Sequence, residues 1–191
     1  MPSQNPKEYV ASGAFNSLQL PAFPDLSELE KAIVGFVIDS SVTSTKKETV
    51  GVEIQHTAYN DDIKQVIFEY LKIENKGLLR RFIDADLRML ESIDSSRWKH
   101  EYKRAHTIAR DAYKALVAKD VSEIEYHEIE STEFKMVMAI RTGPTAFRNY
   151  YRPHLSKLTS LSVLTSQRQG RKGKMVAAYY TALNPSIEYT K

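Results

Sequence analysis

Apolar residues recur at steps of three and four along four stretches of the chain, which is the spacing of an amphipathic helix. This pattern predicts helices over residues 26–38, 60–77, 79–93 and 97–119. A further helix is predicted after Thr145. Because Pro153 lies inside that helix and cannot donate a backbone hydrogen bond, a kink or a break is expected there.

Five shorter segments show other patterns. Residues 50–54 alternate apolar and polar side chains, which predicts a short strand. Residues 121–134 fit neither period, and residues 135–140 suit either a buried strand or the end of a helix. Residues 167–174 are rich in glycine and basic side chains, which predicts a flexible basic loop. The apolar segment 175–183 is then expected to return to the body of the fold.

Residues 1–24 contain four prolines and few large apolar side chains, which predicts an extended N-terminal arm. The side chains that could anchor this arm are Phe15, Leu18, Leu20 and Phe23. A helical core domain is predicted over residues 25–165 and a basic C-terminal arm over residues 166–191. The predicted fold class is mainly α, with about five helices, minor β content and extended N- and C-terminal arms.

A chain of 191 residues is long enough to form one sizeable core without disulfides or a structural metal. It contains no cysteine, which excludes disulfide frameworks, Cys-ligated zinc, iron–sulfur clusters and thiol nucleophiles. No apolar run approaches the roughly 20 residues of a membrane span, and the polar opening lacks the core of a signal peptide. We therefore expect a protein of the cytoplasm or of a virion that has no membrane partner.

Charge is strongly segregated along the chain, although the overall net charge is only +3. Residues 1–96 carry a net −5, residues 97–119 a net +5, residues 120–133 a net −6 and residues 134–191 a net +9. Glu188 is the one acidic residue in the last of these blocks, so carboxylates within the block cannot neutralise its positive charge. A negatively charged partner is expected for this block.

The predicted helix over 97–119 carries a basic stripe beside its apolar face. A rotation of about 100° per residue places its basic side chains within about 80° of one another. They are Lys99, Lys103, His106, Arg110 and Lys114. Such a row suits a phosphate backbone, which is bound chiefly through repeated positive charge. The alternative is a solvated face, or one neutralised by an acidic segment of the same protein.

A second basic set lies in the C-terminal block. Its members combine cations with an aromatic ring, a mixture that neutralises phosphates and stacks on unpaired bases. They are Arg148, Tyr151, Arg152, Lys157, Arg168, Arg171, Lys172 and Lys174. With the basic residues of the predicted helix other than His106, they form the predicted nucleic-acid-binding site. Pairing with acidic parts of the same chain or a neighbouring subunit, and binding to a membrane surface, are alternatives.

No catalytic motif accompanies these basic residues. Asp120 with Glu133-Phe-Lys135 faintly resembles the Asp and Glu-x-Lys arrangement of metal-dependent restriction-type nucleases, but the βαβ context of that family is missing upstream. The acidic residues between 120 and 133 lack the ligand order and glycine of a calcium loop, which favours a solvated or assembly face. P-loop and Rossmann glycine patterns are absent too. We therefore expect neither catalysis nor a cofactor or metal.

The sequence favours a non-enzymatic structural protein that coats or packages single-stranded nucleic acid, RNA above all, as repeated subunits. A viral nucleocapsid or coat subunit is one example of this class, and the partners expected are the nucleic acid and other copies of the chain. One alternative is a regulatory or adaptor protein whose basic C-terminal part docks on an acidic protein. Another is the Mg²⁺-dependent nuclease.

Overall fold

The structure, a computed structural model, describes residues 5–40, 42–44, 53–55, 57–140 and 145–181. These residues are mainly α-helical, as predicted. Their helices are α1 (Pro6–Ser12), α2 (Glu28–Asp39), α3 (Asn60–Glu74), α4 (Lys76–Ser92), α5 (His100–Val117), α6 (Tyr126–Ile140) and α7 (Ala146–Ser160). Their strands are β1 (Val42–Ser44), β2 (Glu53–Gln55), β3 (Thr57–Tyr59), β4 (Leu164–Arg171) and β5 (Lys174–Thr181).

The four helices predicted from apolar spacing correspond to α2, α3, α4 and α5, with ends that differ by a few residues. The start of α2 has a capping box, in which the Ser27 side chain accepts from the Glu30 amide and the Glu30 side chain accepts from the Ser27 amide. Of the two alternatives for residues 135–140, the structure has the end of a helix, α6. The predicted helix after Thr145 is α7, which continues through Pro153 without a break.

The described chain forms two compact units, one of residues 1–70 with 153–191 and one of residues 71–152. The chain leaves the first unit within α3 and returns within α7. The domain boundaries predicted at 24/25 and 165/166 stay a prediction.

In the first unit, the structure differs from the predicted extended arm because residues 6–17 are helical. Asn5 caps α1 by accepting from the amides of Lys7 and Glu8, and proline at the first helical position suits a helix start. Gly13 then ends α1 in the left-handed conformation, with φ of 64°. A 3₁₀ helix, Ala14–Ser17, comes directly after it.

This N-terminal segment packs against α2 through buried side chains. Of the predicted anchors, Phe15, Leu18 and Leu20 are buried, whereas Phe23 is half-buried. The sequence reasoning missed Tyr9, which is 1% exposed and lies edge-on to the Phe36 ring with a centroid distance of 5.3 Å. The Tyr9 hydroxyl donates to the Ala32 carbonyl at 2.9 Å. Burial makes ionisation of this phenol costly, so its pKa is raised far above the usual value.

The first unit also contains the strands. Strands β3, β5 and β4 form an antiparallel sheet in that order, and β1 pairs with β2 separately. Of the predicted strand 50–54, residues 53 and 54 lie in β2 and residues 50–52 lie outside the described residues. The prediction of a flexible loop over 167–174 is wrong, because these residues lie in β4, β5 and the tight turn between them. Residues 175–181 of the segment expected to return to the body of the fold lie in β5, where Ala178 is fully buried, and residues 182 and 183 lie outside the described residues.

In the second unit, α5 packs between α4 and α6 around an apolar core that includes Leu79, Ile83, Leu90, Ala109 and Leu116. The core also contains the carboxylate of Asp86, which accepts from the Tyr113 hydroxyl and from the Ala146 amide, both at 3.0 Å. Burial raises the pKa of Asp86, and these two hydrogen bonds offset only part of that shift. Asp86 thus joins α4, α5 and the start of α7.

The close packing of Tyr9 on α2 predicts the effect of one added methyl group. A Cβ at position 35 would overlap the Tyr9 hydroxyl and lie 3.3 Å from Leu18 Cδ2. Overpacking by the added methyl group should cost about 1–3 kcal/mol. Alanine's higher helix propensity should return about 1 kcal/mol of this. We therefore expect Gly35→Ala to give a net decrease in the free energy of unfolding. Urea unfolding monitored by circular dichroism measures the change.

Gly77→Ala is the matched control, because the nearest atom to its Cβ would be Asn75 Oδ1 at 3.8 Å. We expect this variant to be as stable as the parent or more so. In a Tyr9→Phe background, which removes the overlapping hydroxyl, Gly35→Ala should cost clearly less than in the parent. An equal cost in both backgrounds would contradict the proposed overlap.

Candidate nucleic-acid interface

The basic residues between 168 and 174 lie at the tip of the β4–β5 hairpin. Arg171 is paired directly with Lys174 in the antiparallel register, and the two residues between them form the turn. Lys172 and Gly173 have φ values of 50° and 77°, which are typical of a two-residue hairpin turn with both residues left-handed. This turn projects Lys172, Gly173 and Lys174 as exposed residues.

Lys172 occupies a backbone conformation that asparagine, aspartate and glycine adopt more easily. For another L-residue the left-handed region costs roughly 1–2 kcal/mol. The strained residue is an exposed lysine at a turn that asparagine would suit better. Strain of this kind is often found at functional sites, where the side chain matters more than the local stability of the backbone.

Arg171 differs from its neighbours because the first unit itself binds its guanidinium. Its Nη1 lies 3.4 Å from Asp62 Oδ2, and its Cζ lies 4.3 Å from the centre of the Tyr59 ring. The Tyr59 hydroxyl donates to the Gly170 carbonyl at 3.3 Å. Burial raises the pKa of Asp62 although the nearby charge of Arg171 lowers it. Arg171 therefore fixes the hairpin tip onto α3.

The other three hairpin cations are exposed. Arg168 donates from Nη2 to the Met175 carbonyl at 3.3 Å, which orients its guanidinium across the hairpin. Within the part of the chain that the structure describes, no carboxylate forms an ion pair with Arg168, Lys172 or Lys174. Three positive charges at the tip are thus left to the solvent or to a partner.

One face of the hairpin adds side chains that the sequence reasoning missed. Arg168 is opposite Ala177, and the neighbouring positions on the same face of β5 are Met175 and Tyr179. Met175 is 58% exposed, and Tyr179 is half-buried. An arginine, a methionine and a tyrosine on one open face of a sheet can each offer a surface on which bases stack. Residues 165–171 of β4 are all polar or glycine, so the sequence has no alternation of apolar and polar side chains that could have predicted this face.

The predicted residues of α7 have different environments. Arg148 and Arg152 are exposed and lie one turn apart. Tyr151 is 5% exposed, and its ring meets Phe147 edge-on with a centroid distance of 5.2 Å. Its predicted role in stacking on bases does not fit this position, because the ring is part of the apolar core.

Lys157 is bound within the first unit. Its ammonium lies 2.7 Å from Glu30 Oε1 and donates to the Asp25 carbonyl at 3.2 Å. His154 Nδ1 lies 3.1 Å from Glu30 Oε2. Burial by itself raises the pKa of Glu30, but hydrogen bonds from Lys157, the Ser27 amide and His154 lower it to about 2. This geometry makes Lys157 the counter-ion of a buried carboxylate.

The basic stripe predicted on the fourth helix is divided in α5. Lys99 and Lys114 are exposed, whereas Lys103 and Arg110 are half-buried. His106 is 3% exposed and donates from Nε2 to the Leu90 carbonyl at 2.7 Å, so it belongs to the core. The stripe was predicted from helical spacing alone, which does not show that α4 covers the His106 side of α5.

The predicted site residues therefore fall into separate groups. The first unit brings together Arg168, Arg171, Lys172 and Lys174 in one hairpin and uses Lys157 elsewhere. The second unit contains Arg148, Tyr151 and Arg152 on α7 and the basic residues of α5. Of these groups, the hairpin presents the densest exposed positive charge.

The acidic residues of the nuclease-like pattern are not arranged around a metal. Glu133 accepts from the Thr145 hydroxyl, and Asp120 accepts from Ser122. Glu133 and Lys135 both lie in α6, where a step of two residues corresponds to a rotation of about 200° around the helix axis. The two side chains therefore leave the helix on nearly opposite sides. Among the described residues, no group of three or more His, Asp or Glu side chains could hold a metal ion.

Comparisons with models of protein families, with curated proteins and with solved structures find no match to this chain. None of the helices within the described ranges combines the length and the apolar character needed to cross a membrane. A function for this chain is therefore inferred from the geometry of its own residues.

The low pKa of Glu30 predicts a pH-dependent contribution to stability. A carboxylate whose pKa is lowered by folding stabilises the protein above its unfolded pKa, near 4.5, and loses this contribution as the pH falls towards 2. We expect Glu30→Gln to lower the free energy of unfolding by about 2 kcal/mol at pH 7, less than the full shift implies because Lys157 is partly solvent-screened. The difference from the parent should shrink between pH 5 and pH 2.

Urea unfolding at a series of pH values measures this contribution. Glu28→Gln is the matched control on the same helix, since the Glu28 side chain is 56% exposed and pairs with Lys31 at the surface. We expect it to change stability by less than about 0.5 kcal/mol at any pH. If Glu30→Gln behaved like the control, Glu30 would not be the paired, buried carboxylate described above.

Proposed function

We propose that this protein binds single-stranded nucleic acid, RNA in preference, through the β4–β5 hairpin. In this role it is a non-enzymatic structural protein that coats or packages the strand as repeated subunits, in the cytoplasm or in a virion. The observation that carries the proposal is the strained, exposed Lys172 between Arg168 and Lys174, three cations without a carboxylate partner among the described residues.

The arrangement supports contact with phosphates rather than reading of base sequence. Lysine is a flexible point charge, and hairpin cations that project into solvent can track a strand of variable shape. Arg168 shares a sheet face with Met175 and Tyr179, and together they offer a surface for stacking that tolerates any base. The expected binding is therefore weakly dependent on sequence and strongly dependent on salt.

An acidic protein is the other partner that such a tip could bind. The first unit already neutralises Lys157 and Arg171 with carboxylates, so protein carboxylates are suitable partners for basic side chains of this region. A nucleic acid is favoured because it offers phosphates in a continuous row along which repeated subunits can bind. Competition between the two kinds of polyanion separates these functions.

Removing the three exposed cations should weaken RNA binding and flatten its salt dependence. In the variant Arg168→Gln/Lys172→Asn/Lys174→Gln, asparagine keeps the left-handed turn and Arg171 keeps its contact with Asp62. The affinity for a fluorescent single-stranded RNA should fall at least tenfold at low salt. The slope of log affinity against log salt should fall by about 2, since each contact to a single strand contributes about 0.7.

A charge-matched control removes three exposed lysines outside the hairpin, Lys7→Gln/Lys76→Gln/Lys135→Gln, and should retain most of the affinity. Equal losses in the two variants would mean that net charge alone drives binding, which contradicts a hairpin site. Displacement of the RNA by polyglutamate at comparable charge would instead favour the acidic-protein partner. Binding that ignores salt would contradict both.

A further inference from the structure

The outer side of α5 has a seam of exposed residues that no other part of the described chain covers. Arg104, Ile108, Asp111 and Ala115 are spaced by the alternating steps of four and three that mark one helix face. The helical rotation places all four within about 60° of one another. Ile108 is 44% exposed, which is unusual for an isoleucine in the middle of a helix that has its own buried face.

The neighbouring helix also has exposed apolar side chains. Phe134, Val137 and Met138 of α6 are 65%, 44% and 49% exposed, and α6 packs alongside α5 in the same unit. Exposed apolar side chains at steps of three and four along a helix suggest a surface that a partner covers. Residues 121–134 fit no single period because they comprise a 3₁₀ helix, Val121–Glu123, and the first part of α6.

The charges on the seam are complementary to those on the same seam of a second, antiparallel α5. Arg104 and Asp111 lie equally far on either side of the peptide between Thr107 and Ile108. If a second α5 packs antiparallel with a two-fold axis at that peptide, Arg104 of each copy lies opposite Asp111 of the other copy. Ile108 lies beside the axis, where it meets Ile108 of the second copy.

We propose that this α5–α6 face binds a second copy of the same chain through an antiparallel, two-fold contact between α5 helices. The contact consists of two Arg104–Asp111 ion pairs, the paired Ile108 side chains and the apolar side chains of α6 around them. Stable interfaces bury about 800 Å² on each partner, which is more than one helix face supplies. The exposed side chains of α6 provide the additional area.

A second copy fits this face better than an unrelated partner does. A parallel contact would place Arg104 next to Arg104, whereas the antiparallel contact pairs each charge with its opposite. Arg104 has no ion-pair partner among the described residues, and Asp111 has only its neighbour Arg110, with Nε and Oδ1 3.9 Å apart. Both charges are therefore available to a second molecule.

The dimer does not rest on the proposed RNA binding, since it uses other residues. The half-buried Lys103 and Arg110 also lie on a different side of α5 from the seam. If both proposals hold, each dimer carries two basic hairpins, and two sites on one strand bind more strongly than either alone.

Charge reversal within the seam tests the geometry. Sedimentation equilibrium of the full chain, treated with nuclease and freed of nucleic acid, should detect a monomer–dimer equilibrium. Arg104→Glu and Asp111→Arg should each raise the dimer dissociation constant at least tenfold. Each single variant replaces both symmetry-related ion pairs with a pair of like charges. The double variant Arg104→Glu/Asp111→Arg should restore the dimer, since it exchanges the two charges and keeps their pairing.

Arg81→Glu, a charge reversal at an exposed position of α4, is the control and should leave the equilibrium unchanged. Circular dichroism establishes that each variant is folded, as expected for exposed side chains. A parent that stays monomeric up to high micromolar concentration would overturn the proposal. An unchanged dimer dissociation constant in both single variants would also overturn it. The same holds if the single variants weaken the dimer and the double variant does not restore it. None of these outcomes depends on whether the hairpin binds RNA.

Discussion

The buried carboxylate of Glu30 helps to position the start of the basic hairpin. A buried charge is very unfavourable without partners, and Glu30 has three: the Ser27 amide at the start of its own helix, and Lys157 and His154 from α7. These contacts fix the last turns of α7 against the start of α2. Because β4 begins only four residues after α7 ends, they also determine where the hairpin starts.

The second unit contains a buried carboxylate in a different electrostatic setting. Asp86 binds neutral donors, the Tyr113 hydroxyl and the Ala146 amide, whereas Glu30 binds a lysine. Burial therefore dominates for Asp86 and raises its pKa, while the charged partner reverses the effect for Glu30. Each carboxylate joins helices that are distant in sequence, so the acidic residues of this chain have structural roles that its net charge conceals.

Helices α2 to α5 and α7 were predictable because one side of each is apolar. Helix α6 was not, because Phe134 and its neighbours make its outer side apolar as well. The hairpin was missed because its Lys172-Gly173 turn lacks the asparagine that usually signals such a turn. The roles of Lys157 and Tyr151 could not be predicted, since the Glu30–Lys157 contact joins residues 127 positions apart and burial of a ring depends on packing. Composition identifies the basic region, but only the fold separates the cations that stabilise it from those left exposed.

That separation changes the meaning of the charge blocks. Among the described residues after position 133, Lys157 and Arg171 are neutralised internally. The exposed positive charges that remain are Arg168, Lys172 and Lys174 in the hairpin, Arg148 and Arg152 of α7, and Lys135 of α6. The basic block over α5 is likewise divided, because its central histidine is in the core. A lysine in a strained turn lowers the stability of the hairpin, and a turn with asparagine would avoid this cost. An exposed lysine at that position therefore supports the proposed binding role, since asparagine would give a more stable turn.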